Sequence, residues 1–173
     1  VGVIMGLCHE LDIPYLSGRG YLSASEMWQA SRRIGDWINQ GYKFKLIHLG
    51  DHDPSGLNMS VDTKDRIREF LKINNIAEDN FEFERAALNY DQVQKYKLFP
   101  NYAKKTDTRA KEYLSKFGSK CWELDALHTE VINGIIQESV LRIRDNDKWN
   151  EAKNLENEYR DELRKIAEEL ELE

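Results

Sequence analysis

Residues 46–59, LIHLGDHDPSGLNM, decide the fold of this chain, because an apolar run ends there in two aspartates separated by one residue. The run begins earlier, and residues 43–49 are β-rich and mostly apolar, which predicts a central strand covered on both faces. A Pro-x-Gly turn follows and begins a helix. Asp51 and Asp53 are therefore expected at the carboxyl end of a buried strand, where open α/β sheets place their binding sites.

The two aspartates stand at i and i+2, so their carboxylates are expected to point to the same side. Together they form a hard, doubly negative site suited to Mg2+ or Mn2+. The alternative is a turn without a metal, because Asp-Pro-Ser-Gly is favourable β-turn chemistry. Like charges this close repel each other and cost stability unless a cation or a basic group compensates. Of the flanking histidines, His48 is expected to point into the sheet or pair locally, and His52 to lean towards a substrate.

Three elements are predicted upstream of this stretch. Apolar residues at i, i+3, i+4 and i+7 predict an amphipathic helix over residues 4–11. Residues 13–16 predict a short strand, and the two glycines within residues 17–21 predict a tight turn. A capping box, S-x-x-E beginning at Ser23, starts a second helix that ends at Gly41.

Downstream, helical and strand patterns alternate. Residues 57–71 show a helical pattern and residues 81–88 a strand pattern, and this alternation argues for a parallel sheet. A short helix capped by Asn89 or Asp91 is predicted next, then a helix over residues 106–118 and a short strand over residues 121–124.

The predicted fold class is therefore α/β, with a small, mainly parallel sheet flanked by helices over residues 1–127 and a helical extension over residues 128–173. At 173 residues, the chain is slightly long for a single compact domain. In the extension, apolar residues recur every three or four positions from Trp149 to Leu170 on an otherwise charged helix. That apolar face is expected either to pack back on the domain or to pair with another helix.

Composition is typical of a soluble cytoplasmic protein, with 40% hydrophobic and 32% charged residues. No window approaches the roughly 18 uninterrupted apolar residues of a membrane span. A net charge of −6 argues against coating nucleic acid by bulk electrostatics, but it allows local basic patches and binding bridged by a divalent cation. Cys8 and Cys121 lack C-x-x-C spacing and are expected to be buried, reduced thiols.

Several stretches, taken in chain order, resemble one family over roughly residues 1–140. They are Gly18-Arg19-Gly20-Tyr21, the D-x-D-P-x-G of residues 51–56, Arg85-Ala86-Ala87-Leu88, Thr106-Asp107 and Glu123-Leu124-Asp125-Ala126-Leu127. The pattern resembles a Toprim domain, the metal-binding fold of topoisomerases, DnaG-type primases and some nucleases. It is most similar to the A subunit of type IIB topoisomerases (topoisomerase VI) and related meiotic transesterases, and so implies a Toprim-like Rossmannoid domain.

The resemblance implies that Asp51 and Asp53 are catalytic residues and ligands of Mg2+, with Mn2+ as a substitute. It also implies a catalytic glutamate at the end of a first strand, which would lie before Val1. We therefore expect this chain to be a fragment that lacks that strand and is weakly active or inactive alone. The type IIB enzymes carry a nucleophilic tyrosine in a winged-helix domain, whereas the tyrosines here are expected to be packing or DNA-facing residues.

Basic residues near the expected site are candidates for binding DNA. Arg19 lies between two glycines, and Lys104, Lys105 and Arg109 follow in a basic, aromatic loop and the helix after it. Their alternative role is that of solvated surface charges. A second acidic pair, Glu123 and Asp125, is either a further metal position or, for Asp125, a helix cap.

The expected function is Mg2+-dependent cleavage or transesterification of DNA phosphodiesters within a topoisomerase-like protein. The expected partners are DNA and a second copy or partner subunit, with no membrane. Two alternatives stay open at this point. One is a hydrolytic Toprim nuclease of the overcoming-lysogenisation or phage-defence type, and the other is a non-catalytic Toprim module that binds DNA or protein.

Overall fold

The computed structural model describes residues 2–18, 20–102 and 110–171. The chain divides into two compact units, Val1–Ile136 and Gln137–Glu173. The boundary expected from the sequence, between residues 127 and 128, falls ahead of this division.

Helices dominate the described residues, and the four strands are short. In chain order the elements are α1 (Gly2–Glu10), α2 (Ala24–Asn39), β1 (Phe44–Leu49), α3 (Pro54–Ile73), β2 (Phe81–Ala87), α4 (Tyr90–Lys95), β3 (Asn101–Tyr102), α5 (Ala110–Phe117), β4 (Lys120–Cys121), α6 (Thr129–Leu141) and α7 (Asn146–Glu171). Short 3₁₀ turns occupy Glu78–Asn80 and Leu124–Ala126.

The strands β1 and β2 pair in parallel, with Phe44 opposite Phe81 and Leu46 opposite Phe83. This aromatic and aliphatic face packs against a core supplied mainly by α2 and α3. The mixed α/β class with a small parallel sheet flanked by helices is therefore confirmed. The core residues are Met27, Ala30, Ile34, Ile38, Ile67, Leu71 and Phe81.

Strand β1 differs from the expectation in its burial. All six of its residues are half-buried rather than fully covered. Among the described residues, β1 has β2 as its one neighbouring strand, so its second edge is unpaired there. On the face opposite the core, the Lys45 ammonium lies 2.7 Å from a carboxylate oxygen of Glu82 and 2.9 Å from one of Glu84. These two ion pairs neutralise the charge of Lys45 on a face that is only partly covered.

The second predicted helix forms as α2, and its capping box is present. The Ser23 hydroxyl accepts a hydrogen bond from the Glu26 N–H at 3.2 Å, and the Glu26 carboxylate accepts one from the Ser23 N–H at 3.0 Å. These bonds satisfy N–H groups that no earlier turn of the helix can reach. Gly41, with φ of 89°, follows the helix in a conformation that favours glycine.

Two strand predictions are wrong in detail. Residues 13–16 form no strand, because they are mostly exposed and pair with no neighbour among the described residues. The strand expected over residues 121–124 is Lys120–Cys121, with one further bridge between Trp122 and His52. The predicted helix start at Thr106 lies outside the described residues, and α5 ends before Gly118 as expected.

The second unit consists of the end of α6 and the 26-residue helix α7. None of the helices in the described part of the chain combines the length and the apolarity of a membrane span.

Candidate functional site

The aspartate corner, residues 50–56, follows directly from the end of β1. The Gly50 N–H donates to the Ala87 carbonyl at 2.8 Å, and the Leu88 N–H donates to the Gly50 carbonyl at 2.7 Å. These bonds continue the pairing of β1 and β2 one step beyond the strands, where the Ala87–Leu88 peptide is cis. The corner is therefore held against the carboxyl end of the sheet, as the sequence predicts.

Asp51 is exposed, and one of its oxygens is held by a distant part of the chain. Its Oδ1 accepts a hydrogen bond from the Leu124 N–H at 2.8 Å, across 73 residues of sequence. This bond orients the carboxylate towards the 3₁₀ turn Leu124–Ala126. The second oxygen, Oδ2, accepts no hydrogen bond within the described residues.

Asp53 is half-buried and serves as the N-cap of α3. Its Oδ1 accepts a hydrogen bond from the Gly56 N–H at 2.6 Å, and Pro54 occupies the first turn of the helix. A carboxylate in this position satisfies a free N–H and interacts favourably with the positive end of the helix dipole. The turn that the sequence offered as an alternative to a metal site is therefore present, because Asp53 caps α3 through Oδ1. Its second carboxylate oxygen, Oδ2, takes no part in this cap.

Gly56 allows the corner to pack closely on α3. A β-carbon at this position would lie 2.3 Å from the carbonyl oxygen of Asp51, much closer than van der Waals contact. Any side chain would therefore displace Asp51 backbone or the start of α3. The glycine of the D-x-D-P-x-G motif is explained by this internal contact.

Arg85 holds the corner from β2. Its guanidinium donates to four backbone carbonyls and to the Ser60 hydroxyl, and it is partly buried. The carbonyls belong to Gly50 at 2.9 Å, Asp51 at 2.6 Å, Gly56 at 3.2 Å and Leu88 at 3.1 Å. One side chain thereby ties the end of β1, the start of α3 and the segment after β2 together.

Arg85 also supplies positive charge beneath the two aspartates. Burial lowers the pKa of its guanidinium, and the carboxylates of Asp51 and Asp53 act in the opposite direction. An arginine guanidinium is not deprotonated in proteins, so Arg85 keeps its positive charge. Arg85 is therefore a basic group that compensates part of the charge of the aspartate pair.

His52 is 2% exposed and faces away from solvent. Its Nδ1 lies 3.0 Å from the Tyr113 hydroxyl, and its backbone exchanges two hydrogen bonds with Trp122, at 2.8 and 3.0 Å. Burial lowers the pKa of His52. The expectation that His52 leans towards a substrate is wrong, because its side chain is buried among aromatic rings, whereas the neighbouring Asp51 is exposed.

An aromatic cluster surrounds the His52 ring. Its members are Tyr90, Tyr113, Phe117 and Trp122, with ring centroids 4.7 to 5.8 Å from the His52 ring. The Tyr113 hydroxyl lies 2.9 Å from the backbone carbonyls of His52 and Lys120, and burial raises its pKa. The cluster packs α5 and β4 beneath the corner, and Tyr90 is a packing residue, as expected.

His48 lies within the sheet, as expected. Its Nδ1 is 3.3 Å from the Ser60 hydroxyl, and its ring centroid is 5.6 Å from that of Phe83. Burial, with a smaller contribution from Arg85, lowers the pKa of His48 to about 4. His48 is therefore neutral at physiological pH and serves as a packing residue beneath the corner.

The remaining predicted site residues separate into two sets. Glu123 and Asp125 are exposed and flank Leu124, whose N–H contacts Asp51, but Asp125 lies within the 3₁₀ turn rather than at the start of α6. Within the described residues, no three His, Cys, Asp or Glu side chains converge as metal ligands. The four basic residues assigned to DNA lie outside the described residues; they are Arg19, Lys104, Lys105 and Arg109.

Both thiols are buried and free, as expected for Cys8 and Cys121, and burial raises the pKa of each.

Sequence reasoning missed Arg85 and Tyr113 as residues that shape the corner. A signal for Arg85 existed, because an arginine among apolar residues near the end of a strand requires hydrogen-bond partners inside the protein. Nothing in the sequence pattern singled out Tyr113.

The chain matches no family model, no curated protein and no solved structure. The resemblance to Toprim domains therefore depends on the motifs quoted from the sequence.

Proposed function

We propose that the aspartate corner binds Mg2+ or Mn2+ and that the chain belongs to a Toprim-like enzyme that cleaves or transesterifies DNA phosphodiesters. The observation that carries this proposal is the arrangement of Asp51 and Asp53. Each carboxylate accepts a hydrogen bond from a backbone N–H with Oδ1, at 2.8 and 2.6 Å, and the two Oδ2 oxygens are the ones that we assign as metal ligands.

The donor set fits magnesium. Mg2+ binds oxygen ligands, commonly one or two carboxylates, and retains several waters in its coordination shell. Asp51 and Asp53 would supply the protein oxygens, and their backbone hydrogen bonds limit the rotation of each carboxylate. When bound, Mg2+ would supply positive charge that stabilises negative charge on phosphodiester oxygens.

The surrounding residues support this role by fixing the corner. Arg85 binds the carbonyls on both sides of the aspartates, and Gly56 allows close packing on α3. A pre-organised pair of carboxylates pays less conformational entropy on binding a cation than a flexible pair does. Arg85 is thus a positioning residue, and it touches backbone rather than substrate.

Manganese binding by the chain tests the metal site directly. We expect the Asp51→Asn, Asp53→Asn double variant to bind Mn2+ at least about tenfold more weakly, measured by electron paramagnetic resonance of free Mn2+. Asparagine keeps an Oδ1 acceptor at both positions and is itself a good N-cap, so the fold is preserved.

A matched control removes the same two charges elsewhere. Asp36→Asn with Asp147→Asn changes exposed aspartates in α2 and α7 and is expected to leave Mn2+ binding unchanged. The metal proposal is wrong if the natural chain binds no Mn2+, or if both double variants weaken binding equally.

DNA cleavage separates the reaction classes. In a longer protein that supplies the expected catalytic glutamate, incubation with supercoiled plasmid and Mg2+ should yield either a covalent protein–DNA adduct at a tyrosine outside these residues, as in transesterification, or free DNA ends, as in hydrolysis. Intact DNA in that protein, together with Mn2+ binding that the Asp51→Asn, Asp53→Asn double variant leaves unchanged, would favour the second candidate function, a non-catalytic module.

One observation favours that non-catalytic module. No third His, Cys, Asp or Glu joins the aspartate pair within the described residues, and Arg85 already compensates part of its charge. In a binding module, the corner would be a structural turn, with Asp53 as a cap and Asp51 as a tether to Leu124. Replacing both aspartates with alanine, which removes the cap and the tether, would then lower the stability of such a module, whereas its Mn2+ binding would not depend on them.

A further inference from the structure

Helix α7 carries an uncovered apolar stripe. Tyr159 is 57% exposed, Leu163 65%, Ile166 52% and Leu170 68%. Apolar residues of this size scattered singly over a surface are ordinary, but a continuous stripe marks an interaction surface.

The stripe follows a heptad. Counting Trp149 as position a places Glu156, Leu163 and Leu170 at the following a positions, seven residues apart. The d positions are Ala152, Tyr159 and Ile166. A seven-residue repeat of this kind predicts pairing with another helix in a coiled coil, because the a and d residues keep to one face.

A parallel pair of two α7 helices is unfavourable. It would place Glu156 opposite Glu156 of the second copy in the apolar seam. It would also bring Lys148, at a g position, alongside Lys153, at the following e position of the other copy. Like charges at these positions destabilise a coiled coil and select against that orientation.

An antiparallel pair matches volume and charge better. Setting Glu156 against Tyr159 of the second copy places a carboxylate beside a hydroxyl. The same register sets small Ala152 against large Leu163, and Trp149 against Ile166. Alternation of large and small residues across the seam is the arrangement that fills a helix interface.

Charges are compensated at one edge of the antiparallel seam. Lys148 comes alongside Glu169 of the second copy, and the two have opposite charge. The other edge brings Lys153 alongside Arg160 of the second copy, two like charges that are offset only by Glu156 on the same helix, at 2.8 and 2.7 Å.

We propose that α7 is a homodimerisation helix that pairs antiparallel with α7 of a second copy, with Ala152 packed against Leu163. The occupant is a second copy because the apolar stripe complements its own reverse in volume, where Ala152 meets Leu163, and in charge, at the edge where Lys148 meets Glu169. The proposal is independent of the metal site, since no residue of the aspartate corner takes part.

Sedimentation velocity of the chain tests the association. We expect a dimer with a dissociation constant in the micromolar range, and Leu163→Glu should weaken it about 100-fold by placing a charge in the seam. Asn157→Glu adds the same charge on the outward face of the helix and should leave the dimer intact. Circular dichroism reports whether both variants keep their helix content.

Disulfide trapping tests the orientation. The Ala152→Cys, Leu163→Cys double variant should form a cross-linked dimer on mild oxidation, and Ala152→Cys alone should not. Cross-linking by Ala152→Cys alone would show a parallel pair. That result would overturn the proposal, as would a chain that is monomeric at about 100 μM or a dimer unaffected by Leu163→Glu.

Discussion

Arg85 is the residue on which the aspartate corner depends most. Five of its hydrogen bonds end on the corner, on the start of α3 or on the segment that follows β2. Because these acceptors are mostly backbone carbonyls, they demand a donor whose shape and charge suit several of them at once. The planar guanidinium meets that demand, whereas an ammonium group is a compact point charge.

Replacing Arg85 with lysine should therefore destabilise the protein. We expect Arg85→Lys to lower the free energy of unfolding by about 2 to 4 kcal/mol, because buried carbonyls lose their donors. Urea titration followed by circular dichroism measures the change. Arg164→Lys, at an exposed ion pair on α7, is the control and should stay within about 0.5 kcal/mol of the natural chain. Equal effects of the two substitutions would contradict the role assigned to Arg85.

At the scale of elements, α5 and β4 support the corner from below through Tyr113. Its hydroxyl lies within hydrogen-bonding distance of carbonyls on His52 and Lys120, at 2.9 Å in both cases. The short pair of β3 and β4 brings Trp122 to His52, and the aromatic rings fill the space between them. The Tyr113 hydroxyl thus connects α5, which carries it, to β4 and to the aspartate corner.

Removing that hydroxyl should loosen the attachment. We expect Tyr113→Phe to cost about 1 to 2 kcal/mol of unfolding free energy, since buried carbonyls lose a donor while ring packing is retained. It should also speed amide hydrogen exchange at His52 and Trp122, whose N–H groups bond across this junction. The control Tyr42→Phe, at an exposed tyrosine, should change neither quantity. Unaltered exchange in Tyr113→Phe would refute the attachment.

At the scale of the whole molecule, the buried histidines make stability depend on pH. The pKa of His48 in the folded protein is about 4, below its ordinary value of 6.5, and burial is the main cause. Between these values the unfolded chain binds more protons than the folded one, so stability rises with pH across this window and is lost as pH falls. Burial shifts the pKa of His52 in the same direction.

The variant His48→Asn isolates this contribution. Asparagine cannot titrate, so the loss of stability between pH 7 and pH 4 should be smaller than in the natural chain, by up to about 3 kcal/mol. Urea titrations at a series of pH values measure the two slopes. His128→Asn, at an exposed histidine, should leave the natural slope intact. If His48→Asn shows the same slope as the natural chain, burial of His48 has no such effect.

Local patterns in the sequence determined much of the fold. The capping box at Ser23 predicted the start of α2, and the apolar run before Gly50 predicted β1. These features depend on neighbours a few residues away, so they can be read along the chain. Residues 13–16 were misread as a strand, because a short apolar run forms a strand only where another strand is available to pair with it.

The sequence by itself determined that two aspartates follow β1 and precede a helix, because capping and periodicity are properties of adjacent residues. Only the tertiary structure decided what surrounds them. The bond from Leu124 to Asp51 spans 73 residues, and Arg85 reaches the corner from a neighbouring strand. Such contacts arise when packed elements bring distant donors to unsatisfied carbonyls and carboxylates, and this depends on how the elements pack rather than on any local pattern.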